Sequence, residues 1–401
     1  MKANHYNYLV IGAGVIGLSV ALELKRRHPK SKIAVLDKEA RVAYHSSGRN
    51  SGVLHAGFYY TADSLKALFT KKGNLYWKEY CRRKGLHLNE CGKLVVTKTE
   101  SELSSLDELF VRAKKNEIDF QDISESEAKK IEPRVKTVRR AGWSPTTATI
   151  DPLEVMESLR SGAVQNGIDL QFDTRYVNSE GTSVFTTRGT FEADFVINAA
   201  GLYADQIAND YGMSQDYRIL PFKGLYVYSS EPKGAFKTHV YPVPNLKNPF
   251  LGVHHTLTVD GKSKIGPTAV PAFWREQYSG FSRFRFNEAF QILKDETRLF
   301  FFSGFNFRGL AMEEIRKYRR KNLVNESSLM ATDVDIKNYK TWGKPGIRAQ
   351  LFNIKTRKLE MDFKVQGDER SFHVLNAVSP AFTCAQPFAE YICDRVGTKF
   401  V

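Results

Sequence analysis

The stretch HSSGRNSGVLHAGFYY, from His45 to Tyr60, sets imidazoles and phenols among serines and glycines. It holds too little aliphatic mass for a core strand and too much glycine for a stable helix. Small residues leave the backbone bare, which suits close approach by a flat group. His55 carries an imidazole that exchanges a proton near neutral pH. A second imidazole, His254, follows in VHHTLTV, and Arg348 follows in PGIRAQLF. A positioned general base accelerates a reaction roughly 10²- to 10⁴-fold. A guanidinium fork binds a carboxylate bidentately and so orients the carbon next to it. His55, His254 and Arg348 are therefore the candidate catalytic residues. One imidazole would be the base and the other a hydrogen-bonding clamp, and residue type does not say which.

Such side chains need a frame. YNYLVIGAGVIGLSVALELKRRHP reads as strand, turn and helix, with Gly12, Gly14 and Gly17 forming G-x-G-x-x-G. Gly12 permits the tight turn, Gly14 lets the backbone approach a pyrophosphate at the helix N-terminus, and Gly17 lets helix and strand pack closely. KIAVLD is the next strand, and its Asp37 stands about twenty residues beyond Gly17, where ribose hydroxyls are bound. The motif alone is weak, but strand, helix and acid in register point to a dinucleotide. It does not separate NAD from FAD. The polar 45–60 loop favours FAD, because it can run past the pyrophosphate towards an isoalloxazine ring. Val196 to Gly201, apolar and then small, reads as a second approach to the same cofactor. The helix start near Ser379 to Thr383 can point its positive end at the pyrimidine edge of a flavin.

At 401 residues, 42% hydrophobic and 12% aromatic, the chain can bury a large core in two domains. No repeat or low-complexity linker separates them, so the domains are expected to interleave. The net charge of +15 favours anionic partners. Nucleic acid is not expected, because no RNA-binding pattern appears. RLFFFSGFNFRGLAMEEIRKYRRKNLV, including segment 299–321, has two readings: a buried aromatic wall beside a solvated basic helix, or a surface that docks on an anionic membrane. Cys81, Cys91, Cys384 and Cys393 form no C-x-x-C and no disulfide framework, and no histidine stands at ligand spacing, so no metal is expected. The first apolar run is broken by glycines and lacks a cleavage site. The expected location is the cytoplasm, with peripheral attachment to the cytoplasmic face of the inner membrane as a variant.

GRNSGVLHAGFYY, CGKLVV, TIDP, NAAGLYAD, YPVPN, FLGVHHT, GIRAQ and NAVSPA follow one another along nearly the whole chain. In that order they resemble the L-2-hydroxyglutarate oxidase/dehydrogenase family, within the D-amino-acid oxidase-like flavoproteins. The resemblance implies a noncovalent FAD and oxidation of L-2-hydroxyglutarate to 2-oxoglutarate by hydride transfer from Cα to flavin N5. Electrons would pass to oxygen or a membrane quinone. Another hydroxy acid, an amino acid or amine, or glycerol-3-phosphate is the alternative substrate. The implied fold class is α/β, a Rossmann-type FAD-binding domain interleaved with a mixed-sheet α+β substrate domain. The first would take residues 1–90, 151–218 and 345–401, and the second 91–150 and 219–344.

The resemblance also implies site residues. FAD contacts are expected from Gly12, Gly14, Val15, Ile16 and Gly17, then Asp37 and Lys38. Ser46, Ser47, Asn50, Ser51, Gly52 and Val53 would follow from the polar loop. Val177, Ala199, Ala200 and Gly201, and Ser379, Pro380 and Ala381 would complete the set. Arg348 would hold the α-carboxylate, with Tyr60, Lys223, Tyr241 and Arg275 as candidates for the distal one. Arg49, Asp37, Lys223 and His255 depart from the family's usual residues.

Overall fold

A computed structural model describes residues 4–245, 252–302 and 307–396. The chain divides into two compact units, the first made of Met1–Asn50, Pro152–Pro221 and Arg348–Val401, the second of Ser51–Asp151 and Phe222–Ile347.

The first unit is built on an eight-stranded sheet. The strand Asn4–Ile11 lies between Ile33–Leu36 and Gly189–Asn198 and is parallel to both. Ser371–Asn376 adds a further parallel strand beside Gly189–Asn198. The hairpin of Tyr176–Glu180 and Ser183–Thr186 runs antiparallel at one edge. Leu9, Ile11, Ala34, Leu36 and Val196 share one buried cluster, which is why these strands read as continuous apolar runs. The helix Val15–Arg27 packs against Ala381–Cys393 and Pro152–Gln165. Leu18 on that helix is fully buried, so Leu18→Ala would cost about 2–5 kcal/mol. Lys25, Arg26 and Arg27 occupy its last turn, where a cation meets the negative end of the helix dipole.

The second unit carries a mixed eight-stranded sheet. Its order is Tyr339–Trp342, Val227–Ser229, Ser263–Gly266, His254–Leu257, His239–Pro242, Lys93–Val96, Arg140–Ser144 and Gln121–Ser124. His239–Pro242 and Lys93–Val96 pair in parallel, whereas Lys93–Val96 and Arg140–Ser144 pair antiparallel. Segment 51–90, read from the sequence as part of the nucleotide domain, belongs here. Val53–Leu54 pairs with Ala148–Ile150, and Asn74 on the helix Leu65–Lys84 donates to the Leu54 and Thr146 carbonyls at 3.0 and 3.1 Å. Ser124 and Glu127 form a reciprocal cap, whereas the helix Leu103–Lys115 has no side-chain cap and follows a 3-10 turn over Glu100–Glu102.

Among the described residues no helix is long and apolar enough to cross a membrane. The aromatic wall expected at 299–321 is only partly buried. Leu299 and Phe307 are inside, Phe301 and Phe302 are exposed, and 303–306 lie outside the described residues. Exposed aromatics extend towards the N-terminus through Phe281, Phe286 and Phe290, the first of them 83% exposed.

Candidate active site

The sequence motif becomes a cradle in the first unit. Gly12 has φ +109, and a Cβ there would stand 2.5 Å from the Ala199 carbonyl oxygen. A Cβ on Gly17 would stand 1.9 Å from the Gly12 oxygen. Gly14 caps the helix Val15–Arg27 without a side-chain hydrogen bond, and no acid occupies the first turn. Val15, at the first helical position and followed by the half-buried Ile16, donates its N–H to Ser47 Oγ at 2.9 Å. The Ser46–Gly48 turn is held by Asn50, whose amide donates to the Ser46 and Ser47 carbonyls at 3.1 and 2.9 Å. Gly12 donates to Leu36 and Ala199 to Ile11, so the carboxyl ends of neighbouring strands converge on one spot. Ala200 donates to Asn198 Oδ1 at 3.2 Å, and Gly201 follows at φ +56.

Asp37 is half-buried and accepts from the Ala13 and Glu39 amides at 2.8 and 2.9 Å. Burial pushes its carboxyl above the usual range, and those amides oppose the shift. Lys38 reaches Glu39 at 2.6 Å and lies 5.4 Å from the Tyr203 ring. Glu39 also meets His45 at 2.9 Å, a local network that sequence reading missed. Val177 lies exposed on the edge hairpin, and Gln171 and Thr174 bond to the Asp37 backbone. Ser379 and Pro380 precede the helix Ala381–Cys393, whose N-terminus has neither a side-chain cap nor an acid in its first turn. Arg348 lies on the strand Gly346–Asn353.

The polar loop is divided between the units: 45–50 belongs to the first, 51–60 to the second. In the second unit Ser51 accepts at its carbonyl from Lys264 at 3.2 Å, and Gly52 accepts from the Ile150 amide at 2.9 Å. The buried Val53 lies opposite Thr149. Asn74 holds the end of this segment by donating to the His55 carbonyl at 3.3 Å as well as to Leu54. His254 begins the strand His254–Leu257, and its ring stacks on Tyr241 with centroids 3.7 Å apart. Its Nδ1 lies 2.8 Å from the Gly252 carbonyl. A carbonyl only accepts, so Nδ1 carries a proton and Nε2 is the nitrogen whose protonation can change.

His55 keeps some solvent exposure, but the protein packed around it pushes its pKa well below the ordinary imidazole value. Desolvation is the main cause, followed by repulsion from Lys93 and His254. The structure thus brings His55, His254 and Tyr241 into one cluster. The other candidates have different neighbours. The Lys66 ammonium lies 5.9 Å from the Tyr60 ring. Lys223 is buried, which lowers its pKa, and Arg275 is buried as well. Sequence reading missed Lys93, Lys264, His239 and Asn74. For Lys93 a signal existed: a charged residue opening the apolar run KLVV.

Residues 7–394 match the family of FAD dependent oxidoreductases called DAO. The chain belongs to this family. The mitochondrial L-2-hydroxyglutarate dehydrogenase of Nematostella vectensis is 33% identical over 430 residues, covering 99% of this chain and 92% of the relative. L-2-hydroxyglutarate dehydrogenase of Escherichia coli (strain K12) is 31% identical over 407 residues, covering 98% and 93%. The fold is shared with FAD-bound L-alpha-glycerophosphate oxidase from Mycoplasma pneumoniae, at TM-score 0.78 and 23% identity over 99% of this chain and 97% of that one. Glycine oxidase from Geobacillus kaustophilus gives TM-score 0.73 and 20% identity over 100% and 97%. The family's FAD fits the first unit. The tight turn that Gly12 makes at φ +109, and a helix N-terminus without side-chain cap or acid, are what a pyrophosphate needs.

Proposed function

We propose that this DAO-family protein oxidises L-2-hydroxyglutarate to 2-oxoglutarate. Bound FAD supplies the acceptor for two electrons and the Cα hydrogen. Its expected contacts in the first unit are the 12–17 turn, Asp37, Lys38, Ser46, Ser47, Asn50, 199–201 and 379–381. Ser51, Gly52 and Val53 are further expected contacts. The substrate hydroxyl proton goes to an imidazole of the His55–His254 pair. Arg348 holds the α-carboxylate, and Tyr60, Lys223, Tyr241 and Arg275 are assigned to the distal one.

The observation that carries the reading is the contact between His254 Nδ1 and the Gly252 carbonyl. Nδ1 is committed to the Gly252 carbonyl at 2.8 Å, which leaves Nε2 to accept a proton. It supports a hydroxy-acid substrate because an alcohol, unlike a free amine, must lose a proton as its Cα hydrogen leaves. Near full-length similarity to L-2-hydroxyglutarate dehydrogenases supports the choice of acid. The test is anaerobic flavin absorbance on addition of L- and D-2-hydroxyglutarate, glycine, sarcosine and glycerol-3-phosphate. Bleaching by L-2-hydroxyglutarate alone is expected; bleaching by another compound and not by this one sinks the reading. Glycerol-3-phosphate is the second reading, favoured by the buried amines Lys93 and Lys264.

Oxygen or a membrane quinone takes the electrons onward. The exposed Phe281, Phe286, Phe290, Phe301 and Phe302, together with the net charge of +15, support peripheral docking on an anionic bilayer from the cytoplasmic side. Flotation with anionic vesicles at low salt is expected to carry the protein upward, and no flotation at low salt removes this part.

A further inference from the structure

Lys93 is the first residue of the strand Lys93–Val96, paired with His239 on one side and Ser144 on the other. It is 0% exposed. Its Nζ has no hydrogen-bond partner among the described residues. What surrounds the amine is aromatic: the ring centroids of Tyr241, Tyr59 and Phe58 lie at 4.3, 5.5 and 5.7 Å. Ring faces attract an ammonium but do not replace the water it gives up. Burial accordingly drives its pKa down to about 7, with Cys91 opposing. A methionine of similar length would carry no such desolvation cost, so the amine calls for a partner that the chain does not supply.

The other ionisable groups here are also basic or neutral. His239 bonds to Thr149 at 2.9 Å and to the Leu257 amide at 3.0 Å. Lys93, His254, His55 and Lys264 all hold its pKa down, after desolvation. Lys264 is buried with its pKa lowered to about 8, and the carboxylate acting on it is Asp151. Tyr59, Tyr226 and Tyr241 are phenols, and burial raises Tyr59 and Tyr241 further above neutrality. The cluster is poor in negative charge and rich in groups that gain from it.

We propose that Lys93 is a positioning residue that supplies the counter-charge for a carboxylate ligand of the second unit, held beside the Tyr241 ring on which His254 stacks. This deepens the hydroxy-dicarboxylate reading and rests on it for the identity of the ligand. An arriving carboxylate favours the charged amine, so binding takes up a proton. Lys93 then acts on KM more than on kcat, because it does not touch the reacting atoms.

The probe is glutarate, which lacks the hydroxyl to be oxidised. Titration calorimetry of the holoenzyme in buffers of different ionisation heat counts the protons. The wild type is expected to show net uptake that grows from about pH 7 to about pH 8 as Lys93 starts out neutral. Lys93→Met is expected to lose this rise and to weaken glutarate about tenfold or more. Lys264→Met keeps the Lys93 share. Lys93→Met with the wild-type flavin spectrum, uptake and affinity overturns the proposal. Should Lys93→Met fail to fold, Lys93→Gln and the wild-type pH profile decide, and uptake that stays flat over that range overturns it equally. Absence of bleaching by L-2-hydroxyglutarate with Lys93-dependent uptake intact sinks the substrate reading alone. Bleaching without such uptake sinks the counter-charge alone.

Discussion

The glycine turn of the first unit and the imidazole cluster of the second are built on opposite principles. The turn is made of backbone. Gly12, Gly14, Gly17 and Asp37 lie in one strand–helix–strand unit, and what matters at three of these positions is the lack of a side chain. The cluster is made of side chains from distant segments: His55, Lys93, Tyr241, His254 and Lys264 come from separate strands or their ends. A backbone site tolerates no added atom where other backbone stands against it, but asks little of its surroundings. A side-chain site tolerates substitution at a cost set by which group is removed.

The largest effect should therefore come from one methyl group. In Gly17→Ala the new Cβ would stand 1.9 Å from the Gly12 oxygen, an atom that cannot yield without moving the strand end. The variant is expected to be recovered with under about a tenth of the wild-type flavin, if it folds at all. Gly14→Ala is the internal control. Its Cβ meets Ser47 Oγ at 3.2 Å, the end of a small side chain that can turn away. Flavin absorbance per protein should fall in the order wild type, Gly14→Ala, Gly17→Ala. The reverse order would break the contrast.

The cluster predicts the other pattern, full flavin with lost chemistry. His254→Phe keeps a ring to stack on Tyr241 and removes the Nε2 lone pair. Stopped-flow reduction by L-2-hydroxyglutarate is expected to slow by roughly 10²- to 10⁴-fold at unchanged flavin content. An unaffected rate would move the base to His55. Loss of flavin instead would show that the two regions are not separable in this way.

This difference also explains what was legible beforehand. The G-x-G-x-x-G spacing and Asp37 are local, and the apolar runs of a buried parallel sheet announce their strands, so the first unit could be read from a short window. The cluster could be read only one residue at a time. His55, His254 and Tyr241 stood out by residue type, but Lys93 looked like a strand-end charge until His239–Pro242 paired beside it in parallel. Asn74 sits inside an ordinary basic helix, and its bonds to Leu54, His55 and Thr146 depend on a fold that no local pattern encodes. Segment 51–90 was misassigned for the same reason. Its partner strand Ala148–Ile150 is remote in sequence. Around Val177 the chain turns at Asp173, φ +51, between two strands that pair with different neighbours, a break that no short window announces.

The smallest effect tests whether burial alone, without chemistry, shifts an imidazole in the second unit. His255 neighbours His254 in sequence, yet it is fully buried, stacks on Phe236 at 4.4 Å and lies 3.2 Å from the Ser327 carbonyl. Its Nδ1 has no hydrogen-bond partner among the described residues. Desolvation, aided by Arg134, takes its pKa from the ordinary 6.5 to about 4. The unfolded chain therefore takes the proton first. Stability is intact above the unfolded value and is lost as pH falls from 6.5 towards 4. The slope is at most about 1.4 kcal/mol per pH unit, and His373, also lowered to about 4, adds its own share. His255→Phe keeps the stack, removes the titrating nitrogens and gives up the bond to Ser327. Near pH 8 its stability should lie within about 1 kcal/mol of wild type. Near pH 5 it should be the more stable by on the order of 1 kcal/mol, a rise of a few degrees in Tm at most. Parallel Tm curves for the two proteins across this range would mean that His255 takes up its proton without unfolding, and that burial alone does not explain the low pKa of the histidine next to His254.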